Sequence, residues 1–221
     1  MTGIFDIIMI GPQGSGKGTQ AQILSQRLGI PTLSMGQMLR MQIEAGTELG
    51  KRIDDHITRG GLVSAETTTE VIYDRLQQVD VANGVILDGY PRTLPQLESF
   101  DKILRDLGRE VTQVIFLDIA EAVSLERLSG RRVCSNVKCE TNYHVLWNKP
   151  KIENICDKCG AKLIQRNDDT PEAITKRLRL YHAETAPLVL EYSRRGVLAT
   201  INGDQSIEQV AVDIAKALKL E

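Results

Sequence analysis

The sequence predicts an α/β fold, a doubly wound parallel sheet of about five strands with helices on both faces. Three observations lead there. Short apolar runs alternate with amphipathic stretches, the pattern of strand–helix units. The strongest runs hold three or four consecutive apolar residues (7–10, 85–87, 114–117) rather than one at every second position, as strands covered on both faces require. The first run passes through a glycine-rich loop straight into a helical pattern.

In chain order, residues 5–10 read as a buried strand and 17–28 as a helix, with a marginal strand at 31–33. A helical pattern covers 67–78. A second buried strand, 85–87, ends at Asp88, and a helix covers 95–107. A third strand, 111–117, ends at Asp118, and a helix covers 120–129. A weaker strand at 197–201 and a helix at 207–218 close the chain. The alternation breaks from about 133 to 166, where all four cysteines and the single tryptophan, Trp147, are found. This stretch reads as a small insert with its own stabilising device. It ends at a helix start, with Thr170 as N-cap, Pro171 at the first helical position and Glu172 in the first turn.

The chain has 221 residues, 42% hydrophobic and 25% charged, enough for one large domain with a core of its own and a small insert. A formal net charge of -2 speaks against a general attraction to nucleic acid or anionic membrane. No apolar run approaches the ~20 residues that span a bilayer. The first run is too short for a signal peptide, carries Asp6 inside it and has no basic segment before it. The expectation is a cytoplasmic protein, with neither nucleic acid nor membrane as partner.

The strongest chemical signal is Gly11-Pro12-Gln13-Gly14-Ser15-Gly16-Lys17-Gly18-Thr19, between strand and helix. Glycines let a backbone wrap round phosphate oxygens with its N–H groups turned inward, and the helix adds its positive end. Lys17 supplies a mobile charge for the outer phosphates. A hydroxyl residue usually follows the lysine. Here Gly18 intervenes, and Thr19 is the hydroxyl expected near Mg²⁺. Asp88, delivered at a strand end, is the acid expected in the same metal's shell.

The segment Asp88-Gly89-Tyr90-Pro91-Arg92-Thr93, taken with the glycine-rich loop, resembles the adenylate kinase and wider nucleoside monophosphate kinase family, over nearly the whole chain. The loop resembles the family's GxxGxGKGT form, which accounts for Gly18. Residues 88–93 resemble its DG[FY]PR[TS] signature, with Gln96 at the adenine-contacting position. Ser34-Met35-Gly36-Gln37-Met38-Leu39-Arg40 is similar to its S-T-G-D-M-L-R. Gly61-Leu62-Val63 resembles the stretch bordering the AMP base, and Gly130-Arg131-Arg132 the family's GRR at the start of a lid.

The resemblance implies reversible, Mg-dependent transfer of the ATP γ-phosphoryl group to AMP, giving two ADP. It places ATP on Gly14, Ser15, Gly16, Lys17, Gly18, Thr19, Arg127, Arg131 and Tyr143. It places AMP on Met35, Arg40, Leu62, Val63, Gly89, Arg92, Gln96, Arg166 and Arg177. Lys17, Asp88, Arg92, Arg127, Arg131, Arg166 and Arg177 carry the chemistry. It divides the chain into a core (1–33, 78–130 and 168–221), an AMP-binding helical arm (34–77) and a lid (131–167), in a monomer. Two departures stand out: the family's Thr and Asp are Met35 and Gln37 here, so a hydroxyl and a carboxylate are lost beside the nucleotides. Arginine suits the task, because its planar fork bonds two phosphate oxygens at once and keeps its proton.

Cys134-x4-Cys139, sixteen residues, then Cys156-x2-Cys159 resembles a structural Zn²⁺ site closed by four thiolates. Lids of this family with zinc usually have x2 in the first pair as well, so two extra residues bulge here. His144 reads as an ordinary lid residue, and His56 and His182 as structural or exposed. The rival readings are a kinase for another monophosphate such as UMP or CMP, a P-loop switch that hydrolyses nucleotide, and a zinc-ribbon nucleic-acid binder built on Lys138, Lys149, Lys151, Lys158 and Lys162. Gln96 and the long lid favour AMP over the first. No switch loop favours the second, and the acidic balance opposes the third.

Overall fold

The fold, a computed structural model, describes residues 4–58, 63–139 and 141–220; the side chains of 55–58 lie outside that description. Five parallel strands form the central sheet in the order β2-β3-β1-β4-β8: β1 (Phe5–Ile10), β2 (Thr32–Ser34), β3 (Gly84–Asp88), β4 (Gln113–Asp118) and β8 (Leu198–Asn202). The apolar runs become strands because both their faces are covered. Ile8, Ile10, Val85, Leu87 and Val114 enter one core cluster, while Ile7, Met9, Ile86, Ile115 and Leu117 enter a second on the opposite face. Even the marginal 31–33 stretch is a strand, shifted by one residue, because its neighbour β3 supplies a complete parallel ladder.

Around the sheet stand α1 (Lys17–Leu28), α5 (Leu94–Asp106), α6 (Glu121–Ser129), α7 (Pro171–Leu180), α8 (Ala186–Arg194) and α9 (Ile207–Ala217). The helix start expected at Thr170 is present: its hydroxyl accepts from Ala173 N at 3.3 Å, and Pro171 occupies the first turn. Between α7 and α8 one wide π turn, Tyr181–Thr185, carries the chain on. Three helices, α2 (Met35–Glu44), α3 (Glu48–Thr58) and α4 (Ala65–Leu76), make the arm. Met35, Leu39, Ile53, Val71, Ile72 and Leu76 share the first core cluster with sheet, α5 and α8 residues, so the arm packs on the main core instead of standing apart.

The insert after α6 is a small antiparallel sheet of β5 (Arg131–Cys134), β6 (Asn142–His144) and β7 (Leu163–Ile164), order β6-β5-β7. Among the described residues its buried cluster is Cys134, Tyr143, Cys156 and Leu163, with Cys139 and Ala161 packed against it, too little apolar area to hold ~35 residues without help.

Where β1 begins, the Asp6 carboxylate is fully buried against Arg109, which donates to it from Nε at 2.8 Å and also from Nη2; Asp6 N donates to Thr112 Oγ1 at 3.1 Å. Removing one partner of a buried ion pair strands the other charge. Arg109→Ala is therefore expected to lower unfolding stability by about 3–5 kcal/mol, against within about 0.5 kcal/mol for the exposed control Lys51→Ala, measured by urea denaturation.

Candidate active site

The site gathers at the carboxyl ends of β1, β3 and β4, where a doubly wound sheet opens a crevice. Between β1 and α1 the chain turns through Gly11, Gly14 and Gly16, with φ of 152°, 82° and 95°. Gly11 has no room for a side chain, since a Cβ there would lie 2.5 Å from Leu117 O of β4. That contact presses the loop onto the sheet edge. Ser15 is buried, and its N–H donates to Pro12 O at 3.2 Å. Lys17 curls back over the loop, its Nζ donating to Gly11 O at 2.7 Å and Pro12 O at 2.8 Å, with Ser15 Oγ at 3.3 Å.

Asp88 ends β3 beside the start of α1: a Cβ added at Gly18 would stand 3.3 Å from its Oδ2. Gly18 leaves that space to the carboxylate, next to Thr19. Burial in the cleft pulls the Lys17 ammonium down to about 8; Asp88 opposes this, and Arg92, Arg177 and Arg131 add to it. Arg92 is likewise pulled down by burial, held up by Asp88, and lowered by Arg177 and Arg40. The fields converge, so Lys17, Asp88, Arg40, Arg92, Arg131 and Arg177 occupy one neighbourhood. A crowded set of cations in a partly dry cleft is a device for binding a polyanion.

Each arginine is aimed by its own partners. Arg92 Nε donates to Gly89 O at 2.8 Å, and the wide π turn brings Thr185, whose hydroxyl donates to Arg92 O at 2.9 Å. Gly89, at φ 78°, lies under the guanidinium, 2.8 Å from Nη2 if a Cβ were added. Arg40 folds over Gly36 in the first turns of α2. Arg127 reaches from α6 to Gly203 O at 3.0 Å and Gly14 O at 3.4 Å, which places it against the phosphate loop. Arg131 opens the lid and forks onto Asp169 at 2.9 and 2.6 Å. Arg177, in the last turn of α7, meets Asp168 at 3.0 Å and Asp169 at 3.3 Å. Arg166 sits in the turn just before, its carbonyl accepting from Asp169 N at 3.1 Å.

The remaining candidate residues and the histidines are placed as follows. Tyr143 is only 7% exposed; its hydroxyl accepts from Asp157 N at 2.7 Å and lies 3.7 Å from Cys156 Sγ. Its ring lies in the buried cluster of the lid with Cys134, Cys156 and Leu163. Gln96 is buried, accepting from Arg92 N at 2.7 Å and donating to Thr68 Oγ1 at 3.1 Å, and thereby ties the loop after β3 to α4. Met35 is buried as core, and Val63 packs at its margin. Leu62 and Gly61 lie outside the described residues, as does the side chain of His56. His182 is an exposed partner of Glu121 at 2.9 Å. His144 stacks on Trp147 at 3.6 Å and lies over Gly130, where any side chain would collide with its ring.

Sequence reading missed Asp169, fully buried, which joins both ends of the lid through Arg131 and Arg177, and Thr185, which steadies Arg92 from a distant helix. The paired acids after Arg166 were a readable signal for the first; nothing local marks the second.

In the lid, the Sγ atoms of Cys134, Cys139, Cys156 and Cys159 all lie within 4.8 Å of one another. Cys134–Cys159 is 3.3 Å and Cys139–Cys156 is 3.8 Å. Tetrahedral Zn–S bonds of ~2.3 Å place sulfurs about 3.8 Å apart. Burial pushes the Cys156 thiol up, but the N–H groups of Cys159 and Lys158 outweigh it and bring it down to about 6. Four soft donors with amides already turned to one of them fit a metal ion, and the x4 spacing does not displace Cys139.

The loop, the acid at the strand end and the ring of arginines define a P-loop phosphotransferase. Comparison sharpens this: the sequence profile of the family "Adenylate kinase" matches residues 9–197. The chain is 46% identical over 214 residues to an adenylate kinase of Kosmotoga olearia, covering 97% of this chain and 99% of that one. It is 43% identical over 215 residues to one of Caldicellulosiruptor saccharolyticus (97% and 99%), and 42% over 212 residues to one of Caldanaerobacter subterraneus subsp. tengcongensis (96% and 95%). The chain belongs to the adenylate kinase family, and it is an ATP:AMP phosphotransferase that yields ADP.

The lowered lysine gives the site a pH signature. Lys17 holds its charge below about 8 and loses it as pH rises through that value. The kcat/KM for ATP, which reports the free enzyme, is expected to fall by up to about tenfold per pH unit above it. In Lys17→Arg, whatever rate remains should lack this alkaline limb, because a guanidinium keeps its proton. An unchanged limb in the variant assigns the titration to another group.

Proposed function

We propose that the named residues divide the transfer from ATP to AMP as follows. The N–H groups of 14–19 and Lys17 hold the ATP polyphosphate, with Arg127 and Arg131 on its outer side. Arg40 and Arg92 grip the AMP phosphate, Gln96, Val63 and Gly89 border the nucleoside, and Arg166 and Arg177 close over the phosphoryl group in flight. The supporting observation is the convergence of Lys17, Arg92, Arg131, Arg177 and Asp88 in one field. Phosphoryl transfer spreads charge over three equatorial oxygens, so positioned cations lower its barrier without a covalent enzyme step. Closing the lid keeps water from competing with AMP as acceptor.

Thr19 and the Asp88 carboxylate, both hard oxygen donors beside the loop, suit Mg²⁺. The ion, bound with ATP, neutralises charge on the phosphates. The four cysteines suit Zn²⁺ in a structural role, since a closed thiolate shell leaves no position for a reactant. Four reduced thiols are kept in reducing compartments, which supports a cytoplasmic setting.

An acceptor screen tests the reading. With Mg-ATP and AMP, UMP, CMP or GMP, ADP formation should be fastest with AMP, and a preference for a pyrimidine monophosphate favours the rival kinase. Lys17→Ala should remove most turnover with the fold intact by circular dichroism. Metal analysis of protein purified without chelator should give about one Zn²⁺ per chain. Stripping that metal should lower the melting temperature of the lid; a metal-free, fully stable lid rejects the zinc assignment.

A further inference from the structure

Two places where this chain departs from its family's pattern touch each other. Gln37 stands in the first turn of α2, at the position of the family's carboxylate. Val137 stands in the first cysteine pair's loop, the one lengthened from x2 to x4. Gln37 Nε2 donates to Val137 O at 3.0 Å, joining arm to lid across 100 residues of chain.

Both ends of the contact are held. At the arm end, Ser34 caps α2 and accepts from Gln37 N at 3.4 Å, while Met35 and Leu39 anchor the helix in the main core. At the lid end, residues 134–139 form a tight turn. Cys139 N donates to Asn136 O at 2.9 Å, Lys138 N donates to Asn136 Oδ1 at 3.0 Å, and Ser135 N donates to Lys162 O at 2.9 Å. Asn136 and Lys138 are exposed on either side, but Val137 between them is partly covered. The turn is pinned by Cys134 and Cys139, both in the thiol cluster.

The pairing needs both departures at once. Aspartate at position 37 has no donor when ionised, is one methylene shorter, and would set its carboxylate against the Val137 carbonyl. An x2 loop would lack the residues that carry this carbonyl outward to the arm. We infer that Gln37 and the lengthened cysteine loop form a clasp that holds lid and arm together over the bound nucleotides, with Gln37 as a positioning residue. The clasp is a neutral hydrogen bond, and it deepens the phosphotransferase reading by giving the metal-held lid a fixed point on the AMP arm.

Three variants test it: Gln37→Leu, Gln37→Asn and deletion of Val137 and Lys138, with the combination of Gln37→Leu and the deletion. The probe is di(adenosine) pentaphosphate, which spans both nucleotide positions, titrated by calorimetry. One net hydrogen bond predicts that each single change weakens the probe about two- to tenfold, raises the KM for AMP similarly and leaves kcat equal or higher. The combination should be no weaker than the worse single change, because both remove one contact. Hydrogen exchange with the probe bound should speed up at 135–139 in Gln37→Leu while metal content stays constant. This last readout stands even if the deletion fails to fold. Unchanged affinity and exchange in Gln37→Leu, or losses that add in the combination, overturn the clasp. A fall in kcat with KM unchanged also overturns it, by assigning Gln37 to the reacting groups. Loss of probe binding in the unaltered chain refutes the nucleotide assignment itself, which separates the two failures.

Discussion

The structure depends on holding several positive charges within one cleft. Lys17, Arg92, Arg131 and Arg177 repel one another, and burial penalises Lys17, Arg92 and Arg177. Asp88, Asp168 and Asp169 make the arrangement tolerable, each at the end of an element that fixes its position: β3 for the first, the turn before α7 for the other two. The sheet matters because its strand ends carry these groups to one edge at fixed separation. The two apolar clusters that cover its faces keep that edge rigid.

The same charges tie the lid to the core. Asp169 is buried and binds Arg131 and Arg177 together, so the lid's first residue and the helix after its last residue share one carboxylate. A small sheet with four core residues cannot transmit force by packing alone. The four thiols sit together at its centre, and Arg131 ties its first residue to Asp169. The arm differs in kind: its helices are welded to the main core through Met35, Leu39, Ile72 and Leu76. Lid and arm therefore differ in build, one a small sheet gathered on four thiols and the other an extension of the core.

The arginines of the cleft are aimed by neighbouring protein groups. Arg92 is fixed from below by Gly89 O, from the side by the Gln96 amide on its own N–H, and from behind by Thr185 on its carbonyl. A guanidinium so constrained loses little freedom on meeting a phosphate, which is the advantage of Arg over a flexible Lys at such a position. Lys17 is held differently. Its ammonium rests on the loop's own carbonyls, contacts that a phosphate oxygen can replace.

What the sequence determined by itself were the features with local causes. The apolar runs set the strands, because period and length mark a buried strand. The spacing of Gly11, Gly14, Gly16 and Lys17 set the phosphate loop, because only glycine tolerates those dihedral angles and that approach to Leu117. The caps at Thr170 and Pro171 set the helix after the lid, and the four cysteines marked a metal-fitting cluster by count and spacing. Only the tertiary structure decided the rest, since those contacts join residues far apart in the chain. Thr185 reaches Arg92, Gln96 bridges to Thr68, Tyr143 turns inward to Cys156, and Gln37 meets Val137. A side chain's partner across 28, 93 or 100 residues is fixed by how elements pack, and packing leaves no local periodicity in the sequence to read.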